Sequence, residues 1–284
     1  MPWQIIVFIR VIIGHIVAPV LYKKATQTKS DLEKLIWWQF LFCLTLSVGY
    51  GLIFGFTFKS EILLVAIIGF FNSFGCYCQW QAVKINLAKA SLFTQADDII
   101  AVLLGYLILH ETKYLNTALG FGVIGCFLAA SILISAKFSE NMRLIKYIGI
   151  YSVIWGVASF LDRYFALQSI PFSEFLIGWY GGSFIGISFF LLREGRLVVK
   201  APKNEIALVA GLSIFVWLSK LLGYWGANLV PITIFQPIYL VTEAIFPTLT
   251  GLHIFHEYKT LEFKEKLAIA LGLASIIAIT VSYY

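Results

Sequence analysis

The sequence predicts an all-α integral membrane protein with ten transmembrane helices arranged as two inverted five-helix repeats. Three observations carry that expectation. The 284 residues are 60% hydrophobic and only 13% charged, with a mean hydropathy of +0.87, whereas a soluble domain carries about 25% charge. Ten apolar runs follow one another with short polar connections, and the two halves of the chain resemble each other at a nearly constant offset.

A hydrocarbon core about 30 Å thick takes roughly 20 apolar residues per helix. Runs at 2–22, 35–56, 62–83, 87–109, 114–136, 146–168, 171–192, 205–226, 230–254 and 267–284 each approach that length. The first has no basic stretch ahead of it and leads into Lys23 and Lys24 rather than a small-residue cleavage site, so it reads as a retained helix. Polar clusters such as Lys59-Ser60-Glu61, His110-Glu111-Thr112-Lys113 and the Arg193 to Lys203 connection punctuate the runs. Gly120, Gly122 and Gly125 in the fifth run allow close helix packing in lipid. Trp3, Trp37, Trp38, Tyr283 and Tyr284 stand near run ends, where amphipathic rings anchor at the headgroup boundary. Cys43, Cys76, Cys78 and Cys126 lie inside runs with neither a disulfide framework nor zinc spacing, and read as packing thiols.

The net charge of +6 does not point to nucleic acid, because the Lys and Arg residues gather at run ends. If the connections alternate across the membrane, sixteen of the 21 Lys and Arg residues fall on one side. Lys59 and Lys113 share the other side with both termini, and Arg10, Arg163 and Lys220 lie within runs. The positive-inside rule then puts the basic side in the cytoplasm of an inner membrane and both termini outside.

Gln79-Trp80-Gln81-Ala82 resembles Tyr224-Trp225-Gly226-Ala227, and His110-Glu111-Thr112-Lys113 resembles His256-Glu257-Tyr258-Lys259. The offset is 145 for the first pair and 146 for the second, dividing the chain into repeats at 1–139 and 140–284. Five helices is an odd number, so the second repeat enters the membrane in the opposite sense. Inverted repeats of this kind form a midplane solute site and expose it alternately as the halves rock. Transport is therefore the expected activity.

An ionisable side chain at mid-bilayer costs about 2.5–3.5 kcal/mol on insertion scales, so each one needs a partner or a wet cavity. Arg10 and His15 lie in the first run, Asp97 and Asp98 in the fourth, Lys220 in the eighth and Glu243 in the ninth, while Asp162 and Arg163 stand nearer a run end. Ser91, Thr94, Gln95 and Asp98 recur at helical spacing on one face of the fourth run, and Gln236, Tyr239, Glu243, Pro247 and Thr250 do so on the ninth. The 146 offset aligns Glu243 with Asp97 rather than Asp98. Adjacent residues diverge by about 100° on a helix, so the two aspartates cannot line one cavity equally. Two readings stand side by side. Either Arg10 or Lys220 neutralises one of these aspartates to fix helix register, or a carboxylate faces the cavity and binds a cationic or zwitterionic solute or a coupling proton. Gln79, with Asn72 and Cys76, adds polar capacity on the third run, and Trp155 and Trp225 offer ring faces to a cation.

The stretches Asp97-Asp98 through Leu109-His110-Glu111 and Glu243-Ala244 through Phe255-His256-Glu257, with Trp155 to Tyr164 of the sixth run, resemble the EamA-like branch of the drug/metabolite transporter superfamily. The resemblance extends along the whole chain and implies export of a small metabolite such as an amino acid. Ala244 stands where that family often has a proline, between Pro237 and Pro247. Its members also commonly keep both termini in the cytoplasm, the reverse of the charge count here.

His253-Ile254-Phe255-His256-Glu257 is not ordered as a zinc-protease motif, and no metal site is expected. The P-loop, nucleophile-elbow and dinucleotide fingerprints are missing, so no cofactor or catalysis is expected. The expected partners are a small solute, a coupling proton or ion, and membrane lipid, for a monomer or homodimer. The reading from a different class is a membrane-embedded enzyme or lipid-processing subunit using the intramembrane acids.

Overall fold

The computed structural model describes residues 2–56, 60–111, 117–136, 138–193, 195 and 199–281. Lys59, Thr112, Lys113, Lys137, Arg196, Tyr283 and Tyr284, used in the charge count, the repeat motif and the aromatic anchors, lie outside the described residues, as do the side chains of Cys126 and Pro237. The described residues are almost all helical, with no strand among them. Eight helices are long and apolar enough to cross a membrane: α1 (Trp3–Thr26), α2 (Leu32–Phe54), α3 (Glu61–Ile85), α4 (Leu87–Ile108), α6 (Phe138–Leu167), α7 (Phe172–Arg193), α8 (Lys203–Leu229) and α9 (Ile232–Ile254). Two more, α5 (Thr117–Ala136) and α10 (Phe263–Val281), have 20 and 19 residues.

Helix ends follow from local chemistry. Pro171, Pro202 and Pro231 stand just ahead of α7, α8 and α9, where a missing amide costs nothing. Asn86 caps α4 by accepting the Lys89 amide at 2.8 Å. His110 and His256 close α4 and α9 in the left-handed conformation, at φ of 57° and 54°. α1 contains a π-helical turn at Ile12–Val17, and α9 ends in another at Thr250–Ile254.

The helices form two compact units, each drawn from both halves of the chain. The first holds Met1–Trp80 with Leu161–Leu229. In it, α3 and α7 run parallel through a glycine seam: a methyl on Gly69 would strike the Trp179 carbonyl, and one on Gly182 the Ala66 carbonyl. Asn72 donates to Ser183 at 2.9 Å across the same seam, so it is a packing residue. α2 and α8 also run parallel, joined by Ser213 to the Gln39 carbonyl at 3.3 Å and Trp217 to Ser47 at 2.9 Å. Trp37, expected as a headgroup anchor, donates to Ser188 of α7 at 3.0 Å. α1 runs antiparallel to α8, with Gly14 against Ser219 and Gly223 against Arg10.

The second unit holds Gln81–Phe160 with Val230–Tyr284. α4 and α9 are antiparallel neighbours, and the glutamate of each His-Glu motif reaches the start of the other helix. Glu257 accepts the amides of Leu87 and Ala88 at 2.9 and 2.8 Å, and Glu111 accepts the Thr233 amide and hydroxyl at 3.3 and 3.2 Å. These open amides are the positive end of a helix, where a carboxylate is favoured. Gly105 and Gly251 sit beneath these contacts, because a Cβ there would strike Ile232 and Ala88. Lys89, counted from the sequence among the membrane-flanking charges, is buried: it pairs with Glu265 at 2.5 Å and donates to Asn141 at 3.1 Å. The physical reason is that Glu265 and Asn141 together satisfy the ammonium inside the unit, at 0% relative exposure each.

Candidate functional site: a carboxylate cluster at a helix break

In the second unit α4 is discontinuous, with Leu87–Phe93 and Ala96–Ile108 separated by a turn at Thr94 and Gln95. Interrupting a helix in apolar surroundings leaves polar backbone groups that something must satisfy. Ser91, Thr94 and Gln95, the stripe seen in the sequence, do this locally: Thr94 Oγ1 and Gln95 Nε2 both donate to the Ser91 carbonyl, at 3.1 and 3.0 Å. Ser152 of α6 donates to the Thr94 carbonyl at 3.4 Å, and Gly156, whose Cβ would lie 2.9 Å from the Asp97 carbonyl, lets α6 come that close.

The helix restarts at Ala96, so Asp97 and Asp98 occupy its first turn, where the helix dipole favours negative charge. Asp97 accepts the Asp98 amide at 2.8 Å and a bond from the Tyr151 hydroxyl of α6, and it lies in the electrostatic field of Asp98 and Glu243. Asp98 instead accepts Gln236 Nε2 of α9. The 100° divergence thus sends the two aspartates to different neighbours, Asp97 toward Glu243 and Asp98 toward Gln236. Both are buried, as are Gln95, Gln236 and Tyr239, while Glu243 and Trp155 are half-buried. Trp155 stacks on Tyr151 with ring centroids 5.8 Å apart, and Tyr239 meets Phe235 edge-on. Gln95 Oε1 is buried with no hydrogen-bond partner among the described residues, an acceptor suited to a donor from a bound solute. Three carboxylates, two side-chain amides and aromatic rings thus gather around this turn.

The remaining candidates belong to the first unit. Lys220 Nζ is held by both oxygens of Asp162, at 3.0 and 2.8 Å, and lies 3.3 Å above the Trp179 ring. The pairing of Lys220 with Asp97 or Asp98 is therefore corrected: α6 carries Asp162 within hydrogen-bond reach of α8 inside the same unit. Arg10 lies against Gly223, His15 is buried in the π turn of α1, and Gln79 is half-buried on α3. Tyr151 and Ser152 escaped sequence reading, although they lie one turn before Trp155 and share its helical face.

Residues 2–136 match the model of the EamA-like transporter family, part of the drug/metabolite transporter superfamily. Residues 2–136 belong to that family. Members of the EamA-like family are transporters, and the eight apolar helices mark this chain as a multi-pass membrane protein. A solved crystal structure of another protein aligns with 99% of this chain and 98% of its own length, with a TM-score of 0.69 and 17% identity. That likeness shows a shared fold. No curated protein matches the chain.

Proposed function

We propose that this EamA-like protein is a ten-span secondary transporter of two inverted five-helix repeats that exports a small cationic or zwitterionic metabolite, such as an amino acid, by alternating access. The observation that carries this reading is the pair of buried acids Asp97 and Asp98 at the break in α4, with the half-buried Glu243 of α9 in the field of Asp97. A discontinuous helix with acids at its restart is how transporters present charge to a solute inside the membrane. The reciprocal contacts of Glu111 and Glu257 support the inverted repeat, since they join equivalent positions of antiparallel helices. The Lys and Arg distribution supports an inner-membrane location with both termini outside.

In this mechanism Asp97, Asp98 and Glu243 receive the ammonium of the solute or the coupling proton. Gln95, Gln236 and Tyr239 orient the solute, and Trp155 offers a ring face to it. A thermal-shift screen of the solubilised protein against amino acids and organic amines tests the reading, because a solute that binds the folded state raises its melting temperature by mass action. A stabilising amine whose effect disappears in Asp97→Asn or Asp98→Asn is expected. Stabilisation by amines that persists undiminished in both variants and in Glu243→Gln would remove the carboxylates from the site.

A further inference from the structure

Inside the second unit, a bond between two fully buried side chains draws the starts of α6 and α10 together: Asn141 Nδ2 donates to Glu265 Oε1 at 3.1 Å. Exposed cations surround this bond. Arg143 follows Asn141 by two residues, Lys146 lies one turn beyond Arg143 on α6, and Lys264 and Lys266 stand on either side of Glu265. None of the four is in an ion pair among the described residues. The carboxylate between the two lysines is already engaged, since Glu265 accepts from Lys89, Asn141 and the Glu262 amide. Glu140 and Glu262 are the other acids in the stretches 137–146 and 259–266, so the four cations remain in excess with both ionised.

Apolar side chains lie beside these charges. Phe263 is 81% exposed and Leu267 48%, and at four residues apart they share the face of α10 opposite the buried Glu265. Ile150 and Val153 continue an exposed apolar surface along α6. A free phosphate ion would engage the cations alone and leave the aromatic ring unused. A lipid with a phosphate headgroup uses both, its anionic head among the cations and its chains along Phe263 and Leu267. Basic clusters between transmembrane helices, at the level where Lys, Arg and aromatic rings gather, hold anionic headgroups in this way.

We propose that the starts of α6 and α10 form a binding site for one anionic phospholipid, with Arg143, Lys146, Lys264 and Lys266 around its phosphate and Phe263 and Leu267 against its chains. This binding presupposes the ten-span reading, in which α10 enters the membrane, and makes no use of the acids at the α4 break. The lipid sits over the buried Lys89–Glu265–Asn141 group that ties together the beginnings of α4, α6 and α10, and it stabilises the folded chain by mass action.

The test uses the full chain, delipidated in a non-ionic detergent, with dioleoylphosphatidylglycerol and dioleoylphosphatidylcholine as probes. Native mass spectrometry counts the lipid retained from an equimolar mixture, and melting temperature records the stabilisation. Wild type should retain one phosphatidylglycerol in preference to phosphatidylcholine, and excess inorganic phosphate should not displace it. At roughly fivefold weaker binding for each charge removed, the triple variant Arg143→Gln, Lys264→Gln, Lys266→Gln should lose about a hundredfold in affinity, whereas Lys264→Arg with Lys266→Arg should bind as wild type. The control, Lys24→Gln with Lys29→Gln and Lys203→Gln, removes three exposed cations of the first unit and should keep the lipid. Without lipid all variants should melt with wild type, because none removes a buried side chain, and the single variants repeat the comparison with the least disturbance. Equal retention of phosphatidylglycerol by wild type and the α6–α10 variant, equal losses in that variant and the first-unit control, or displacement by phosphate would each overturn the proposal. Reporter fusions after Glu262 and after Tyr284 should read opposite sides of the membrane if α10 spans it. That measurement is independent of lipid retention, so a missing span and a missing lipid site are told apart.

Discussion

The Glu257 carboxylate accepts the Ala88 amide at 2.8 Å, joining the end of α9 to the start of α4 across 169 residues of sequence. A second bond goes to Leu87, and Glu111 makes the mirrored contact with Thr233, so both His-Glu motifs anchor the start of a helix.

The two contacts should differ in weight. Glu257 is buried with short bonds, while Glu111 is half-exposed with longer ones. Glu257→Ala leaves two buried amides open and should cost about 3–6 kcal/mol, at roughly 1.5–3 kcal/mol for each hydrogen bond to a charged group. Glu111→Ala should cost about 1 kcal/mol or less. Denaturant or thermal unfolding in detergent, read side by side for the two variants, gives the order, and a larger loss at Glu111 would refute it.

Lys89 and Glu265 are 2% and 0% exposed, so removing one strands the other. Lys89→Met or Glu265→Gln alone should destabilise the protein by about 3–5 kcal/mol, and the double variant Lys89→Met with Glu265→Leu should recover much of that loss. A double-mutant cycle on melting temperature measures the coupling, and simple additivity would show the pair to be energetically independent.

At Gly182 the neighbouring atom is backbone. A methyl added there meets the Ala66 carbonyl, which cannot rotate away as a side chain would. Gly182→Ala should therefore lower stability by about 1–3 kcal/mol through overpacking, whereas Gly211→Ala, with open space around it, should be neutral or slightly stabilising. Expression level and melting temperature of the two variants check this contrast.

The charge asymmetry predicts that a periplasm-active reporter fused after Tyr284 is active and a cytoplasmic fluorescent one dark. The opposite pattern would favour the arrangement common among EamA-like transporters and would reverse the direction assigned to each loop.

The all-helical membrane architecture was legible because hydropathy reports span length directly. The polar stripe of Ser91, Thr94, Gln95 and Asp98 also falls on a buried part of α4. Its break was not legible: the segment is apolar enough to read as one helix, and only the bonds to Ser91 and from Ser152 account for the turn. Partner choice was equally hidden. Lys220 binds Asp162 and Lys89 binds Glu265 because of how each helix is rotated about its axis, which composition does not record.

The long-range contacts of Glu257 bear on how the chain is made. Leu87 and Ala88 leave the ribosome well before the residue that will hold them, and α4 must enter the membrane with the amides at its start still open. Water, lipid headgroups or the insertion machinery must serve those amides during that interval. The fourth helix reaches its final anchorage only after the ninth has been synthesised, so a chain truncated before Glu257 should carry an unfinished α4 and be an early target for membrane quality control.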